Sequence, residues 1–169
     1  MSIRITPLTG PDRGPSSRRL AWLAAGPTGA PTGSAFLRLF ATTGQDHLAE
    51  LELDVHPADR RNGIGSQLLE AAVATARSEG RSCVTAQVDA GSSGDRFLTA
   101  RGFRKVLTLT FARLALARAD LAALTEIVRK PDPGYRLTSW AESNRPMRAI
   151  NDAFGYLPTH KSLLHQLDL

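Results

Sequence analysis

Hydrophobic and polar residues alternate most regularly between Leu48 and Val55. Ala49, Leu51, Leu53 and Val55 fall on one side, and Glu50, Glu52 and Asp54 on the other. A period of two predicts a half-buried strand. Ile3-Arg4-Ile5 predicts a short strand that runs into turn-like sequence at Pro7, Gly10, Pro11 and Gly14-Pro15. A second strand is expected from Arg18 to Ala25, a long hairpin loop over Gly26–Gly33, and a third strand through Phe36, Leu37, Leu39 and Phe40. The period then changes. Ile64, Leu68, Ala71, Ala72 and Thr75 recur at helical spacing between about Gly63 and Glu79, with Gly80 placed to end the helix. Ser82 to Val88 is mostly apolar and suits a strand inside a sheet. Strand, helix and strand across residues 48–88 predict a parallel crossover. Ser92-Ser93 can cap a short helix through Ala100, Gly102 closes it, and Phe103 opens a strand towards Leu116.

Beyond residue 118 the pattern loosens. Asp120 can cap a helix with Leu121, Leu124 and Val128 as its apolar positions, and Pro131-Asp132-Pro133-Gly134 reads as a linker. Tyr135–Trp140 suits a strand. Ser143 or Asn144 can cap a helix whose stripe is Met147, Ile150 and Phe154, and Leu163, Leu164 and Leu167 suit a closing strand. The expected division is a domain over 1–118 with its core at 48–103, a helix and linker over 119–134, and a C-terminal segment over 135–169.

Composition narrows the classes of function. The chain has 169 residues, 42% hydrophobic and 22% charged, which suits one soluble domain. No apolar run approaches the ~20 residues of a membrane span, and the first residues lack a signal-peptide pattern, so a cytoplasmic location is expected. Cys83, the only cysteine, cannot form an internal disulfide and reads as a core thiol. The net charge of +5 and pI near 10.1 raise the question of nucleic acid. Yet the eighteen arginines and three lysines are scattered, and aromatic residues do not interleave with them as stacking platforms. No specific nucleic-acid contact and no metal-ligand set are read from the sequence. The arginine and alanine content suits a GC-rich bacterial genome.

The chemistry concentrates where the clean strand ends. Asp54-Val55-His56-Pro57-Ala58-Asp59-Arg60-Arg61-Asn62-Gly63-Ile64-Gly65-Ser66 runs from a strand, through a turn with two arginines and two glycines, into a helix. Backbone N–H groups, a helix dipole and guanidinium charge then meet at one spot, as a bound pyrophosphate requires. Arg60-x-x-Gly63-x-Gly65, preceded by Asp54-Val55-x-Pro57 and followed by Ser66-x-Leu68-Leu69, resembles the pyrophosphate loop of the GNAT family of N-acetyltransferases. Ala100-Arg101-Gly102-Phe103-Arg104 is similar to that family's later Gly-Phe block, and the resemblance covers residues 1–116. It implies an α/β (α+β) acyl-CoA N-acyltransferase fold with a mixed, mostly antiparallel sheet of six or seven strands and flanking helices.

It also implies acetyl-CoA as acyl donor and an amine of a small molecule or peptide as acceptor. The backbone of Arg61, Asn62, Gly63, Ile64, Gly65 and Ser66, with the charge of Arg60 and Arg61, would hold the diphosphate. Main-chain groups of Leu53 and Val55 would bind pantetheine where the strand parts from the one ending near Val88. Transfer to an amine needs a base, and Glu50 and Glu52 are the candidates, with Asp54 third. His47 and His56 read as exposed loop residues.

Three departures qualify the resemblance. Leu98 stands where the family often places a proton-donating tyrosine, and Gly91 where an asparagine is common. Only twelve turn-like residues separate Ile5 from Arg18, where the family inserts two acceptor-binding helices. These departures set a second reading beside the first: a degenerate member that binds CoA or a partner protein without efficient turnover. A homodimer would be one way to complete the reduced acceptor side. Finally, residues 142–158 resemble the closing block of bacterial tandem acetyltransferases, with Asn144 and Asn151 in the usual polar positions, so the whole looks like a reduced tandem form in which this segment packs on the first domain.

Overall fold

The computed structural model describes residues 3–14, 16–113, 122, 125 and 155–169, with residues 9–14 described by backbone alone. The linker, strand and second helix expected between Pro131 and Phe154 lie outside the described residues, as do the first helix's apolar positions.

Among the described residues, seven strands form one sheet in the order β1-β2-β3-β4-β5-β7-β6. They are β1 (Arg4–Gly14), β2 (Ser17–Ala25), β3 (Pro31–Phe40), β4 (Leu48–Val55), β5 (Cys83–Asp89), β6 (Arg104–Arg113) and β7 (Leu157–Asp168). Among the described strands, only the β4–β5 pair is parallel. Two helices complete the described fold, α1 (Ile64–Ser78) and α2 (Ser93–Ala100). The mixed, mostly antiparallel sheet and both helices agree with the expected fold class.

The first hairpin differs from expectation. Residues 7–14 continue β1 rather than forming a loop, and they pair with β2 as far as Gly14↔Ser17. Proline lacks the N–H a central strand needs, but β1 lies at the sheet edge, where Pro7 and Pro11 are tolerated. The register also shifts between Leu8 and Asp12, which absorbs the irregular stretch. Similarly, the expected loop over Gly26–Gly33 is shorter, because β3 starts at Pro31. Thr32 is buried there and its hydroxyl donates to the Ala24 carbonyl at 3.2 Å.

The core lies on one face of the sheet. Ala35, Leu37, Leu39, Ala49, Leu51, Val84 and Ala86 are buried against Ile64, Leu68, Leu69, Ala72, Val73 and Ala76 of α1. The alanines allow close approach, and burial of a leucine such as Leu68 stabilises by roughly 1.5–3 kcal/mol. Gly33 is required by the same packing. A Cβ there would lie 2.8 Å from the Asp54 carbonyl oxygen and 3.3 Å from Ile64 and Leu68 side-chain atoms. The opposite face carries Arg38, Glu50, Glu52, Thr85 and Gln87, as the alternation of β4 predicts.

β7 lies inside this sheet. It pairs with β5 from Cys83↔Asp168 to Asp89↔Ser162 and with β6 along its other edge. Residues 157–168 thus share the sheet with β1–β6. Buried His165 on β7 places Nε2 3.0 Å from Asp95 Oδ1, and the other Asp95 oxygen accepts from the Gly91 N–H at 2.9 Å. Ser92 caps α2 by accepting from the Asp95 N–H. Together these bonds fix the start of α2 against β7.

Candidate functional site

β4 and β5 pair through only three positions, Leu48↔Cys83, Ala49↔Val84 and Glu50↔Thr85. Beyond Glu50 they part, while each stays anchored on its outer edge. β4 remains paired with β3 as far as Gly33↔Val55, and β5 with β7 as far as Asp89↔Ser162. A cleft of about 910 Å³ opens along the two unpaired inner edges. Backbone groups alternate between strand edges with a period of two. The Val55 carbonyl accepts from Arg60 Nε at 3.0 Å on the side away from β3, so Leu53 presents its main chain along the same open edge.

The loop after β4 closes the wide end of this cleft. A single 3-10 turn at Pro57–Asp59 leads to two left-handed residues, Arg61 at φ 68° and Gly63 at φ 81°. Holding Arg61 in that region costs about 1–2 kcal/mol. The conformation turns the chain sharply into α1. Gly63, the N-cap, has no side chain with which to satisfy the helix start. The amides of residues 61–66 have no backbone partner among the described residues. Unpaired N–H groups and the positive end of a 15-residue helix therefore face the cleft, an arrangement that favours anions.

Most of the residues selected from sequence come together. Leu53, Val55, Arg60, Arg61, Gly63, Ile64, Gly65 and Ser66 all line the cleft. Asn62 does not line it, and the Ile64 side chain is turned into the core, so only its backbone is offered. Arg60 does more than supply charge: besides Val55, its Nη1 reaches Ser93 Oγ at 3.4 Å, linking the loop to α2. Leu98 lines the cleft as a buried side chain with no proton to donate. Gly91 adopts φ 74°, which an asparagine tolerates less readily than glycine.

A second cavity, of about 510 Å³, shares Leu51, Glu52, Gln87, Val88, Ser93 and Gly94 with the cleft and reaches the polar face of the sheet at Glu50 and Glu52. Glu50, Glu52 and Asp89 line it, with no lysine, arginine or histidine in its wall. Glu52 thus borders both cavities. The two glutamates are not buried: their side chains are 36% and 58% exposed for Glu50 and Glu52. Arg38 Nη1 donates to Glu50 Oε2 at 3.0 Å and Arg19 Nη2 to Glu52 Oε2 at 2.9 Å. The strand register produces the first pair, since Arg38 lies directly across from Glu50. His47 and His56 are exposed, as expected.

Sequence reasoning missed the contribution of α2. Phe97, Arg96 and Arg101 also line the cleft, bringing its arginines to four with Arg60 and Arg61. The signal was present in the spacing: residues 93, 97 and 101 are four apart and share a helix face.

Residues 11–103, more than half of the chain, match the family described as Acetyltransferase (GNAT) family. The chain belongs to that family. No curated relative matches it in sequence. Among solved structures it is similar to an N-acetyltransferase from Staphylococcus aureus Mu50, with 18% identity and a TM-score of 0.54 over 89% of this chain and 67% of that one. A putative acetyltransferase from Salmonella typhimurium, solved with its cofactor acetyl-CoA, shares 17% identity with a TM-score of 0.55, over 89% and 65% of the two chains. A ribosomal-protein-alanine N-acetyltransferase from Brucella melitensis shares 20% identity with a TM-score of 0.54, over 89% and 69%. The chain spans about two thirds of the length of these relatives.

Membership in this GNAT family makes acetyl-CoA the acyl donor to be fitted. The residues present fit it. Arg60 and Arg61 line the cleft beside the amides of residues 61–66, which have no backbone partner among the described residues, and Arg96 and Arg101 line it from α2, a set that suits a diphosphate. The splayed strand edges offer an amide-bearing chain the bonds of an added strand, between Leu51, Leu53, Ala86 and Val88.

Proposed function

We propose that this protein transfers an acetyl group from acetyl-CoA to an amine of a small molecule or peptide. The observation that carries the reading is the short β4–β5 pairing, which opens a cleft directly onto an uncapped helix N-terminus. The donor, when bound, supplies an activated acetyl group. The backbone at 61–66 and the Arg60 and Arg61 charges hold its diphosphate, and the main chain of Leu53 and Val55 orients it.

The charge distribution separates the two substrates. The anionic donor enters past arginines, whereas the polar-face cavity offers Glu50, Glu52 and Asp89 to a cationic amine. Glu52, at the junction of both cavities, is placed to take the amine proton directly or through water, and Glu50 to hold the acceptor beside it. The nucleophile is the acceptor's own nitrogen, so rate enhancement comes from positioning and electrostatics.

Leu98 favours a second reading, in which CoA is bound without efficient turnover, because it puts a hydrocarbon in the cleft where a thiolate would otherwise be protonated. One assay separates the readings: thiol release from acetyl-CoA across a panel of amines, run with Glu50→Gln and Glu52→Gln variants. Turnover that falls at least about a hundredfold in Glu52→Gln, within the range of general-base catalysis, supports the transferase. CoA binding with no thiol release on any amine supports the second reading.

A further inference from the structure

We infer that His165 of β7 is a positioning residue for the proposed reaction: through Asp95 it fixes the turn between β5 and α2, and with it the wall of Ser93 and Gly94 that the donor cleft and the polar-face cavity share. The inference rests on the proposed use of the cleft by CoA, yet His165 lines neither cavity and lies outside the residues 11–103 that match the family. β7 holds this turn from both faces of the sheet. Residues paired across two strands point to the same face, so His165, opposite buried Ala86, faces α2, and Ser162, opposite Asp89, faces the polar side. Ser162 Oγ donates to Asp89 Oδ1 at 3.3 Å, and the Ala90 N–H donates to the Lys161 carbonyl at 2.9 Å. His165, only 2% exposed, reaches the far side of the turn at Asp95.

A carboxylate only accepts, so the ring donates its Nε2–H to Asp95 Oδ1 across 3.0 Å. Nδ1 is buried with no partner among the described residues, which leaves Asp95 as the ring's single polar anchor there. Asp95 passes that anchor on. Its Oδ2 accepts from the Gly91 N–H at 2.9 Å, and its own N–H donates to Ser92 Oγ at 3.1 Å, so one residue ties both flanks of the turn. The turn has little slack: a Cβ at Gly94 would lie 3.1 Å from Val88 Cγ1. Ser93 in turn accepts from Arg60 Nη1 at 3.4 Å, the contact that joins α2 to the loop after β4. Without the imidazole, a part-buried Asp95 oxygen loses its donor, and the side chain can swing towards water, taking Gly91 and the first turn of α2 with it. Such a shift moves Ser93 and Gly94, and a misplacement of about 1 Å in a supporting shell is enough to loosen a site.

The experiment measures CoA affinity by calorimetry and amide hydrogen exchange by mass spectrometry, at a temperature where the variants are folded. His165→Leu fills the space but donates nothing. It should weaken CoA binding about tenfold, the low end of what one hydrogen bond to a charged group contributes, and speed exchange over residues 89–96 while β2, β3 and β4 keep theirs. Asp95→Ala removes the same bond from its more exposed side and should reproduce both effects, so the test stands even where the core variant does not fold. His165→Gln, whose amide can donate from near the Nε2 position, should restore part of the affinity. In the Asp95→Ala background His165→Leu should cause no further loss, since the two act through one bond. A merely structural histidine would lower the melting temperature of His165→Leu and leave the affinity of the folded protein unchanged; that result overturns the inference while leaving the cleft assignment intact. Additive losses in the double variant, or unaltered exchange over residues 89–96, overturn it as well. Binding of no CoA by the unmodified protein overturns the cleft assignment and the inference with it.

Discussion

Gly65→Ala separates the stability of the donor loop from its capacity to bind. Gly65 is the second residue of α1, and its φ is not in the left-handed region. A Cβ there would meet Phe97 at 3.5 and 3.6 Å and Val55 Cγ2 at 3.7 Å, ordinary contact distances. The fold therefore admits the methyl, and replacing a helical glycine by alanine stabilises by up to about 1 kcal/mol, less in a first turn. The ligand-free melting temperature should stay level or rise by about 2–4 °C. Phe97 and Val55 are both walls of the cleft, however, so on the proposed reading the methyl stands where the diphosphate would approach the backbone. A tenfold loss of affinity corresponds to about 1.4 kcal/mol. With CoA at a hundred times the original Kd, stabilisation would fall from about 2.7 to about 1.4 kcal/mol. Scanning fluorimetry with and without CoA reads both quantities. An undiminished CoA-induced rise in a normally folded variant would refute close approach of the ligand at Gly65.

Gly63→Ala should act in the opposite sense. At φ 81°, with only Gln67 Nε2 near its Cβ position at 3.9 Å, its cost of about 1–2 kcal/mol is conformational and should lower the ligand-free melting temperature by several degrees. Arg60→Glu places a carboxylate at the mouth of the cleft and should reduce CoA affinity at least tenfold by calorimetry, since charged contacts to phosphate contribute about 1.5–3 kcal/mol; unchanged affinity would move the donor site elsewhere. Cys83 should resist a thiol reagent in the native state and label only on unfolding. Burial pushes its thiol above the ordinary range, the Asp168 charge adds to this, and Arg104 partly opposes it. The folded protein thus holds this proton more tightly than the unfolded chain, so stability should decline as pH rises through and above the ordinary thiol range.

The parts of this fold legible from sequence are those fixed by local physics. The alternation of β4 separated the core-facing Leu51 from the polar-facing Glu50 and Glu52, and the positive φ values of Gly80 and Gly102 fall at the helix ends where glycine was expected. Ser92 caps α2 as its position suggested. What was not legible depends on partners distant in sequence. Nothing local marks Pro7 and Pro11 as strand residues, because their tolerance derives from the edge position of β1. The arginines on Glu50 and Glu52 come from β3 and β2, and became visible only once the register set Arg38 across from Glu50 and Arg19 across from Arg38. Arg101 escaped notice because its partner Ser66 lies on another helix.

Those arginine–glutamate pairs bear directly on how the proposed acceptor is received. A buried ion pair would resist exchange, because removing one partner leaves an uncompensated charge. These pairs are partly exposed, and exposed pairs contribute only about 0–1 kcal/mol. An incoming ammonium can therefore displace Arg19 or Arg38 from its carboxylate at little cost. The arginines keep the acidic face of the sheet compatible with folding until a cation arrives, as cross-strand pairing of opposite charges does elsewhere. On the proposed reading, Glu50, which holds the amine, and Glu52, which accepts its proton, are then neighbours on one face of the same strand. Placing both carboxylates on β4, where the strand leaves β5, sets them beside the donor cleft with no helix between β1 and β2, where the spacing of Ile5 and Arg18 left no room for one.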